Sequence, residues 1–73
     1  MWKVDHRGYG IVPSVSWSVL RLFAADFTIT RLGANGDEIV YQGFCPGTFQ
    51  TEGKARDAAM AAARAYIETL VAQ

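Results

Sequence analysis

The sequence contains only one cysteine, Cys45, among its 73 residues, so a disulfide within the chain is excluded. Small secreted domains usually carry two or more disulfides. The first residues also lack the apolar stretch, followed by small residues, that marks a secretory signal. Together these features predict a protein of the reducing cytoplasm.

The sequence also has no excess of positive or of negative charge. Seven Lys and Arg residues balance seven Asp and Glu residues, giving a formal net charge of zero. This balance excludes a strongly basic nucleic-acid binder and an acidic mimic of DNA. The longest apolar run in the last third, Ala58 to Ala63, is far shorter than the roughly 20 residues that cross a bilayer.

Alternating apolar residues predict β-strands over the first two-thirds of the chain. Val15, Trp17 and Val19 alternate with serines, which is typical of a strand with one buried face. This pattern assigns Trp17 to the core. The same alternation predicts three further strands, over residues 2–6, 27–32 and 38–44.

Turn-forming residues separate the predicted strands. Asn35-Gly36 is the strongest hairpin signal, because both central residues of such a turn take positive φ. In the strand that follows, alternation places Ile39 and Tyr41 on one face and Val40 and Gln42 on the other. Two further connections are predicted, a tight turn at Ala24-Ala25-Asp26 and a loop at Cys45-Pro46-Gly47.

The last third of the chain predicts one helix, over about residues 51–72. Thr51 is a suitable N-cap, and Glu52 places a negative charge near the positive end of the helix dipole. The run from Ala55 to Ala72 contains neither Pro nor Gly. We therefore predict a single α+β domain over residues 1–73, in which the helix packs on one face of a three- or four-stranded antiparallel sheet.

Apolar residues of the helix fall into two groups at 100° per residue. The group predicted to cover the sheet consists of Ala55, Ala59, Ala62, Tyr66 and Leu70. A second group, Met60, Ile67 and Val71, is offset from the first and is predicted to form an exposed seam. Strand alternation also fails around Leu20 and Leu22, which suggests a segment covered on both faces. The predicted interface therefore comprises Leu20, Leu22, Met60, Ile67 and Val71.

Residues with catalytic or metal-binding chemistry are few. His6 and Cys45 are the strongest ligand or nucleophile types, and neither lies in a metal-binding spacing. They could form a Cys–His pair only if the fold brought them together. The serines from Ser14 to Ser18 lack the Gly-x-Ser-x-Gly context of a nucleophile elbow. We expect no enzyme activity and no cofactor.

Nucleic-acid binding by the outer face of the sheet is the alternative function. Aromatic residues near the N-terminus are interspersed with cations, as on sheets that bind single strands. The candidate phosphate contacts are Lys3, Arg7, Arg21 and Arg31. The predicted outer face carries mostly Ser, Thr and Gln, which supply few of the cations that phosphates require.

The segment Gly47-Thr48-Phe49-Gln50-Thr51-Glu52, which leads into the alanine-rich helix, resembles a known junction. It is similar to the strand-to-helix junction of the plant ethylene-response-factor type DNA-binding domain, and Arg7-Gly8 is similar to that family's opening strand. The resemblance implies three antiparallel strands packed on one helix. That family reads DNA with Arg and Trp side chains, whereas the matching strands here offer Thr28, Thr30 and Gln42. The DNA-reading residues therefore do not carry over.

The chain also resembles short uncharacterised bacterial proteins with the same order of strands and helix. This second resemblance implies a fold and no activity. Small domains with thin cores often gain stability by association. We therefore predict a cytoplasmic, non-enzymatic interaction module that binds a second copy of itself or another protein.

Overall fold

A computed structural model of the chain describes residues 3–17 and 22–72. It contains a four-stranded antiparallel sheet in the order β1-β2-β3-β4 and one helix that follows the sheet, so the predicted two-layer α+β fold is confirmed. The elements are β1 (Val4–His6), β2 (Tyr9–Trp17), β3 (Phe23–Gly33), β4 (Gly36–Phe49) and α1 (Glu52–Val71).

The tight turn with two positive φ angles lies between β1 and β2. Arg7 has a φ of 52° and Gly8 a φ of 86°, and the flanking residues His6 and Tyr9 pair with each other. This is the backbone geometry of a two-residue type I′ hairpin, whose twist matches that of the strands. Asn35-Gly36, the strongest hairpin signal in the sequence, thus does not form the type I′ turn, which is formed by Arg7-Gly8.

The connection between β3 and β4 is one residue earlier than predicted. Gly33 pairs with Gly36, so Ala34 and Asn35 form the turn. Gly36 takes a φ of 108°, while Asn35 is not among the described residues with positive φ. A turn followed by a glycine with positive φ is the usual alternative to the type I′ hairpin.

Strand β4 is longer than predicted because two irregularities lie within it. The pairing shifts between Ile29 and Thr30, where Val40 is the extra residue of a β-bulge. A second shift lies opposite Ala24 and accommodates Pro46-Gly47-Thr48, with Gly47 at a φ of 88°. The predicted loop at Cys45-Pro46-Gly47 and the predicted turn at Ala24-Ala25-Asp26 are therefore wrong, since both segments lie within strands.

The helix begins as predicted. The hydroxyl oxygen of Thr51 accepts a hydrogen bond from the backbone N–H of Lys54 over 3.1 Å, and Glu52 lies in the first turn. Arg56 binds Glu52 one turn earlier at 3.2 Å. The N-cap satisfies one of the backbone N–H groups that have no partner within a helix.

The core lies between the helix and one face of the sheet. The buried apolar side chains of the sheet are Ile11, Ala25, Phe27, Ile29 and Cys45, and those of the helix are Ala55, Ala59, Met60, Ala63 and Ile67. The small alanines allow the helix axis to approach the strands closely. Tyr66 and Val40 add partly buried area at the margin of this core.

Two of the three residues of the predicted seam on the helix belong to the core, so the prediction of an exposed seam is wrong. Met60 is 6% exposed and Ile67 is fully buried, whereas Val71 is exposed in the last turn of α1. The buried arc is rotated by roughly 50° from the predicted one, at 100° per residue. A twisted sheet covers a wider arc of a helix than a flat one does.

Trp17 was also assigned to the core by its alternation with Val15, and it is exposed. It pairs with Phe23 at the last register position of β2, outside the cluster of buried residues that contacts the helix. The predicted positions Leu20 and Arg21 lie outside the described residues. Leu22 is half-buried just before β3.

Candidate interaction surface

The sheet has one face that the helix leaves uncovered, which we call the outer face. Ile11 and Ile29 point toward the helix, and their neighbours Val12, Thr28 and Thr30 therefore point to the outer face. Serines of β2 and Gln42 of β4 continue the polar part of this face. The predicted Ser, Thr and Gln side chains lie on this face, but apolar and charged side chains accompany them in the described strands.

Three large apolar side chains are exposed on this face, and we call them the outer patch. Leu32 is 79% exposed, Ile39 is 63% exposed and Phe44 is 77% exposed. Leu32 belongs to β3 and the other two to β4, so all three lie on one hairpin at the β4 side of the sheet. By register Leu32 and Ile39 are diagonal neighbours, and Phe44 lies four β3 positions further along the sheet, opposite Asp26. Neighbouring exposed apolar residues more often mark an interface than isolated ones do.

The bulge at Val40 explains why the outer patch could not be predicted from alternation. Tyr41 pairs with Ile29 and faces the helix, while Ile39 pairs with Thr30 and faces outward. Val40, the extra residue, packs against the core. Ile39 and Tyr41 therefore lie on opposite faces, and the predicted grouping of Ile39 with Tyr41 is wrong. A bulge of this kind has no short sequence signature.

Two shallow depressions lie beside the outer patch. The first has a volume of about 390 Å³ and is lined by Lys3, Val12, Thr28, Thr30, Asp37, Ile39 and Gln42. The second has a volume of about 310 Å³ and is lined by Asp26, Phe27, Thr28, Gln42, Gly43 and Phe44. Thr28 and Gln42 form the ridge between them. Both depressions are open to solvent and offer an apolar wall with a few hydrogen-bonding groups.

One ion pair spans the outer face from the β1 side to β4. Nζ of Lys3 donates to Asp37 over 3.0 Å, and this hydrogen bond and the nearby carboxylate raise the pKa of Lys3 above its usual value. Lys3 lies over Gly10, where an added Cβ would stand 2.9 Å from the lysine chain. Gly10 therefore provides the space that lets Lys3 reach Asp37.

The outer face carries more negative than positive charge. Among the residues that the structure describes, its charged side chains are Lys3, Asp5, Asp26 and Asp37. A surface with three carboxylates and one ammonium group repels a phosphate backbone.

The candidate phosphate contacts do not form a common surface. Lys3 pairs with Asp37 on the outer face, whereas Arg7 lies 3.6 Å from Glu68 of the helix. Arg31 lies 3.7 Å from Glu38, its partner across the β3–β4 hairpin. Each of these three cations has an acidic neighbour. Arg21 lies outside the described residues.

His6 and Cys45 lie on opposite edge strands and do not form a pair. Nε2 of His6 is 2.9 Å from a carboxylate oxygen of Glu68, so this ring joins β1 to the helix. Cys45 is buried opposite Ala25 in the sheet. Burial, with the nearby carboxylate of Asp26, raises the pKa of the Cys45 thiol, which opposes formation of a nucleophilic thiolate. Within residues 3–17 and 22–72 no cluster of His, Cys, Asp and Glu could hold a metal ion.

Of the predicted interface residues in the described part of the chain, only Leu22 and Val71 have appreciable accessible surface, and they do not belong to the outer patch. The helix is not long and apolar enough to cross a membrane. Comparison with known proteins finds no match to a family model, a curated protein or a solved structure. The resemblance to the ethylene-response-factor type domain therefore stays a prediction.

Proposed function

We propose that this protein is a non-enzymatic interaction module that forms a homodimer through the β4 side of its sheet. The observation that carries the proposal is the outer patch, in which Leu32, Ile39 and Phe44 are each more than half exposed. Full burial of a large apolar side chain contributes about 1.5–3 kcal/mol relative to exposure. Association that covers even part of this patch is therefore favoured.

The shape of the chain leaves a large area available to a partner. The accessible surface is 5029 Å² for a mass of 8.0 kDa, whereas a compact monomer of this mass exposes about 4450 Å². The domain is 15 Å deep along its shortest axis, so a large share of its sheet is exposed.

A second copy is the partner that we propose, because the chain has no excess of charge to drive binding to an oppositely charged macromolecule. A two-fold dimer uses the same surface of both copies, so association closes at two chains. We place the dimer in the cytoplasm, where a lone protonated thiol such as that of Cys45 is stable.

The proposal is tested by measuring molar mass in solution. We expect sedimentation equilibrium at about 0.1 mM, a concentration that populates even a dimer of tens of micromolar affinity, to report a dimer. The variant Phe44→Ser should be a folded monomer by circular dichroism. Val71→Ser is the matched control, because Val71 is exposed on the helix and outside the outer patch. A monomeric wild-type protein would contradict the proposal.

Nucleic-acid binding is distinguished from this function by its response to salt. We expect no retention of a mixed-sequence duplex near physiological ionic strength, because the cations Lys3, Arg7 and Arg31 each lie beside a carboxylate. Submicromolar binding that weakens steeply with salt and is lost in Arg7→Ala would favour the alternative function instead.

A further inference from the structure

The outer edge of β4 differs from the other edge of the sheet. Among the strands that the structure describes, β4 pairs only with β3, which leaves the edge of a 14-residue strand unpaired. The opposite edge consists of β1, which is three residues long and includes Asp5, and of the part of β2 beyond Ile11, which contains Pro13. Proteins commonly protect an edge by making it short or by placing charges and proline on it. Only the β1 edge is protected by its short length.

The central part of β4 has none of the residues that protect an edge. From Tyr41 to Cys45 the strand pairs regularly and has no charged residue and no proline, while Asp37, Glu38 and the bulge at Val40 precede this stretch and Pro46 follows it. An uncharged strand edge with exposed apolar side chains is a template for pairing with another strand. The protective residues thus flank this stretch and leave its centre open.

We propose that two copies of the chain pair through this edge, β4 against β4, to form one antiparallel eight-stranded sheet centred on Gly43. This inference rests on the proposed homodimer and adds its geometry. The regular part of β4 between the two irregularities is Tyr41–Cys45, which pairs residue by residue with β3. A two-fold axis perpendicular to the sheet keeps both helices on the same side.

The side-chain faces restrict where this axis can lie. Tyr41, Gly43 and Cys45 face the helix, and Gln42 and Phe44 face outward. Residues directly opposite in an antiparallel pair lie on the same face, so the axis must pass beside a residue and not between two residues. Gly43 is the central residue of the regular segment. An axis there pairs Gly43 with itself, Gln42 with Phe44, and Tyr41 with Cys45.

This register brings the two copies of Phe44 together. Each Phe44 lies directly opposite Gln42 of the second copy, and the two phenylalanines are diagonal neighbours. Diagonal positions are about 7–8 Å apart, which is within reach of aromatic side chains. The exposed Phe44 ring is therefore partly buried by the aliphatic part of Gln42 and by the Phe44 ring of the second copy. Of the outer patch, Phe44 lies at the axis, whereas Leu32 belongs to the interior strand β3 and stays on the exposed outer face.

Charge favours this edge-to-edge arrangement over stacking of the two outer faces. Stacked faces would bring the carboxylates of Asp5, Asp26 and Asp37 from both copies into one interface, with Lys3 as the one described cation on each face. Like charges that face each other across an interface are destabilising. Pairing along β4 leaves these carboxylates in solvent, away from the axis at Gly43.

Two lysine variants at one cross-strand pair distinguish the arrangements. Gln42 on the β4 edge and Thr28 on the interior strand β3 are directly opposite and share the outer face. We expect Gln42→Lys to raise the dimer Kd by about tenfold or more, because a charge on an edge opposes strand pairing. Thr28→Lys should change the Kd by less than about threefold, since edge pairing leaves this position in solvent. Circular dichroism verifies that both variants are folded.

The outcomes separate this inference from the proposed function. A wild-type monomer overturns both. A wild-type dimer that Thr28→Lys weakens as strongly as Gln42→Lys supports the homodimer and overturns edge pairing in favour of stacked faces. In a mixture of isotope-labelled and unlabelled wild-type chains, we expect intermolecular nuclear Overhauser effects between Gln42 and the Phe44 ring. Their absence in a confirmed dimer overturns the register centred on Gly43.

Discussion

Tyr41 of β4 stacks on Tyr66 of the helix, with ring centroids 4.0 Å apart and ring planes inclined by 13°. Phe27 of β3 continues this contact, with its ring centroid 6.1 Å from that of Tyr41. The three rings connect both layers of the fold at the β4 side of the sheet. The strand that carries the proposed interface is thus held to the helix by an aromatic contact.

The tyrosine stack should contribute measurably to stability. We expect a double-mutant cycle with Tyr41→Ala and Tyr66→Ala to give a coupling energy of about 0.5–1.5 kcal/mol, the value typical of aromatic pairs. Urea denaturation of the four proteins measures it. Tyr66→Phe is the control, because it keeps the ring and should change the free energy of unfolding little. Additive effects of the two alanine substitutions would contradict a direct interaction.

Gly43 should tolerate no side chain in the folded chain. A Cβ at this position would lie 2.7 Å from the Phe27 ring and 2.7 Å from the Tyr41 ring. We expect Gly43→Ala to lower the free energy of unfolding by about 1–3 kcal/mol, the usual effect of overpacking.

Gly53→Ala is the matched control for this prediction. Gly53 lies in the first turn of the helix, and an added Cβ there meets no atom within 4 Å. This variant should raise the free energy of unfolding by up to about 1 kcal/mol, because alanine favours helix over glycine. Equal effects of the two substitutions in denaturation experiments would mean that the space beside Gly43 is open.

Replacing Arg7 by asparagine should stabilise the protein. Arg7 has a φ of 52°, a region that asparagine adopts more readily than arginine, and Asn-Gly is the preferred pair for this turn. We expect Arg7→Asn to raise the free energy of unfolding by about 0.5–1 kcal/mol, since the exposed pair with Glu68 contributes little. Thermal denaturation is the measurement.

Arg31→Asn separates the backbone effect from the loss of an ion pair. Arg31 forms an exposed pair of nearly the same length, 3.7 Å, with Glu38, and its φ is not positive. This control should leave the melting temperature unchanged or lower it. A gain in stability from both substitutions would show that removal of an arginine, and not relief of the turn, is responsible.

The buried thiol should make stability depend on alkaline pH. The pKa of Cys45 is raised in the folded chain, so the folded state holds its proton at pH values where the unfolded thiol ionises. This contribution is complete below the unfolded pKa of about 8.5 and is lost as pH rises through the higher folded value.

The Cys45→Ala variant isolates this contribution. We expect the free energy of unfolding to fall more steeply above about pH 8.5 in the wild type than in the variant. Lys3 has a raised pKa too, through Asp37, and adds a loss of the same sign at higher pH in both proteins. Parallel pH profiles for the two proteins would contradict the predicted role of the thiol.

The parts of the fold set by local signals could be predicted from the sequence. Thr51 at the N-cap and the absence of Pro and Gly after Ala55 determine the start and the extent of the helix. Strand alternation determines the strands of the sheet and the polar residues Thr28, Thr30 and Gln42 of its outer face. These features depend on residues close together in the chain, so they can be inferred without knowledge of tertiary packing.

The candidate interface depends on tertiary geometry and could not be inferred in the same way. The burial of Met60 and Ile67 follows from how far the sheet wraps the helix, which helical periodicity alone does not give. The outward position of Ile39 follows from the bulge at Val40, which reverses alternation in the first part of β4. Both features involve only a small change in the backbone. Each one decides whether an apolar side chain is buried in the core or exposed on the surface.

The four strands lengthen steadily across the sheet, from three residues in β1 to nine, eleven and fourteen in β2, β3 and β4. Local opening should therefore begin at the β1 side, where few backbone hydrogen bonds must break. Amide hydrogens of β1 should exchange fastest among the strands, and those in the centre of β3 slowest. Release of β1 also frees His6 from Glu68, so β1 can separate from the helix end while β2, β3 and β4 remain folded. The β1 side of the sheet thus opens before the β4 side does. The surface proposed for self-association lies on the β4 side.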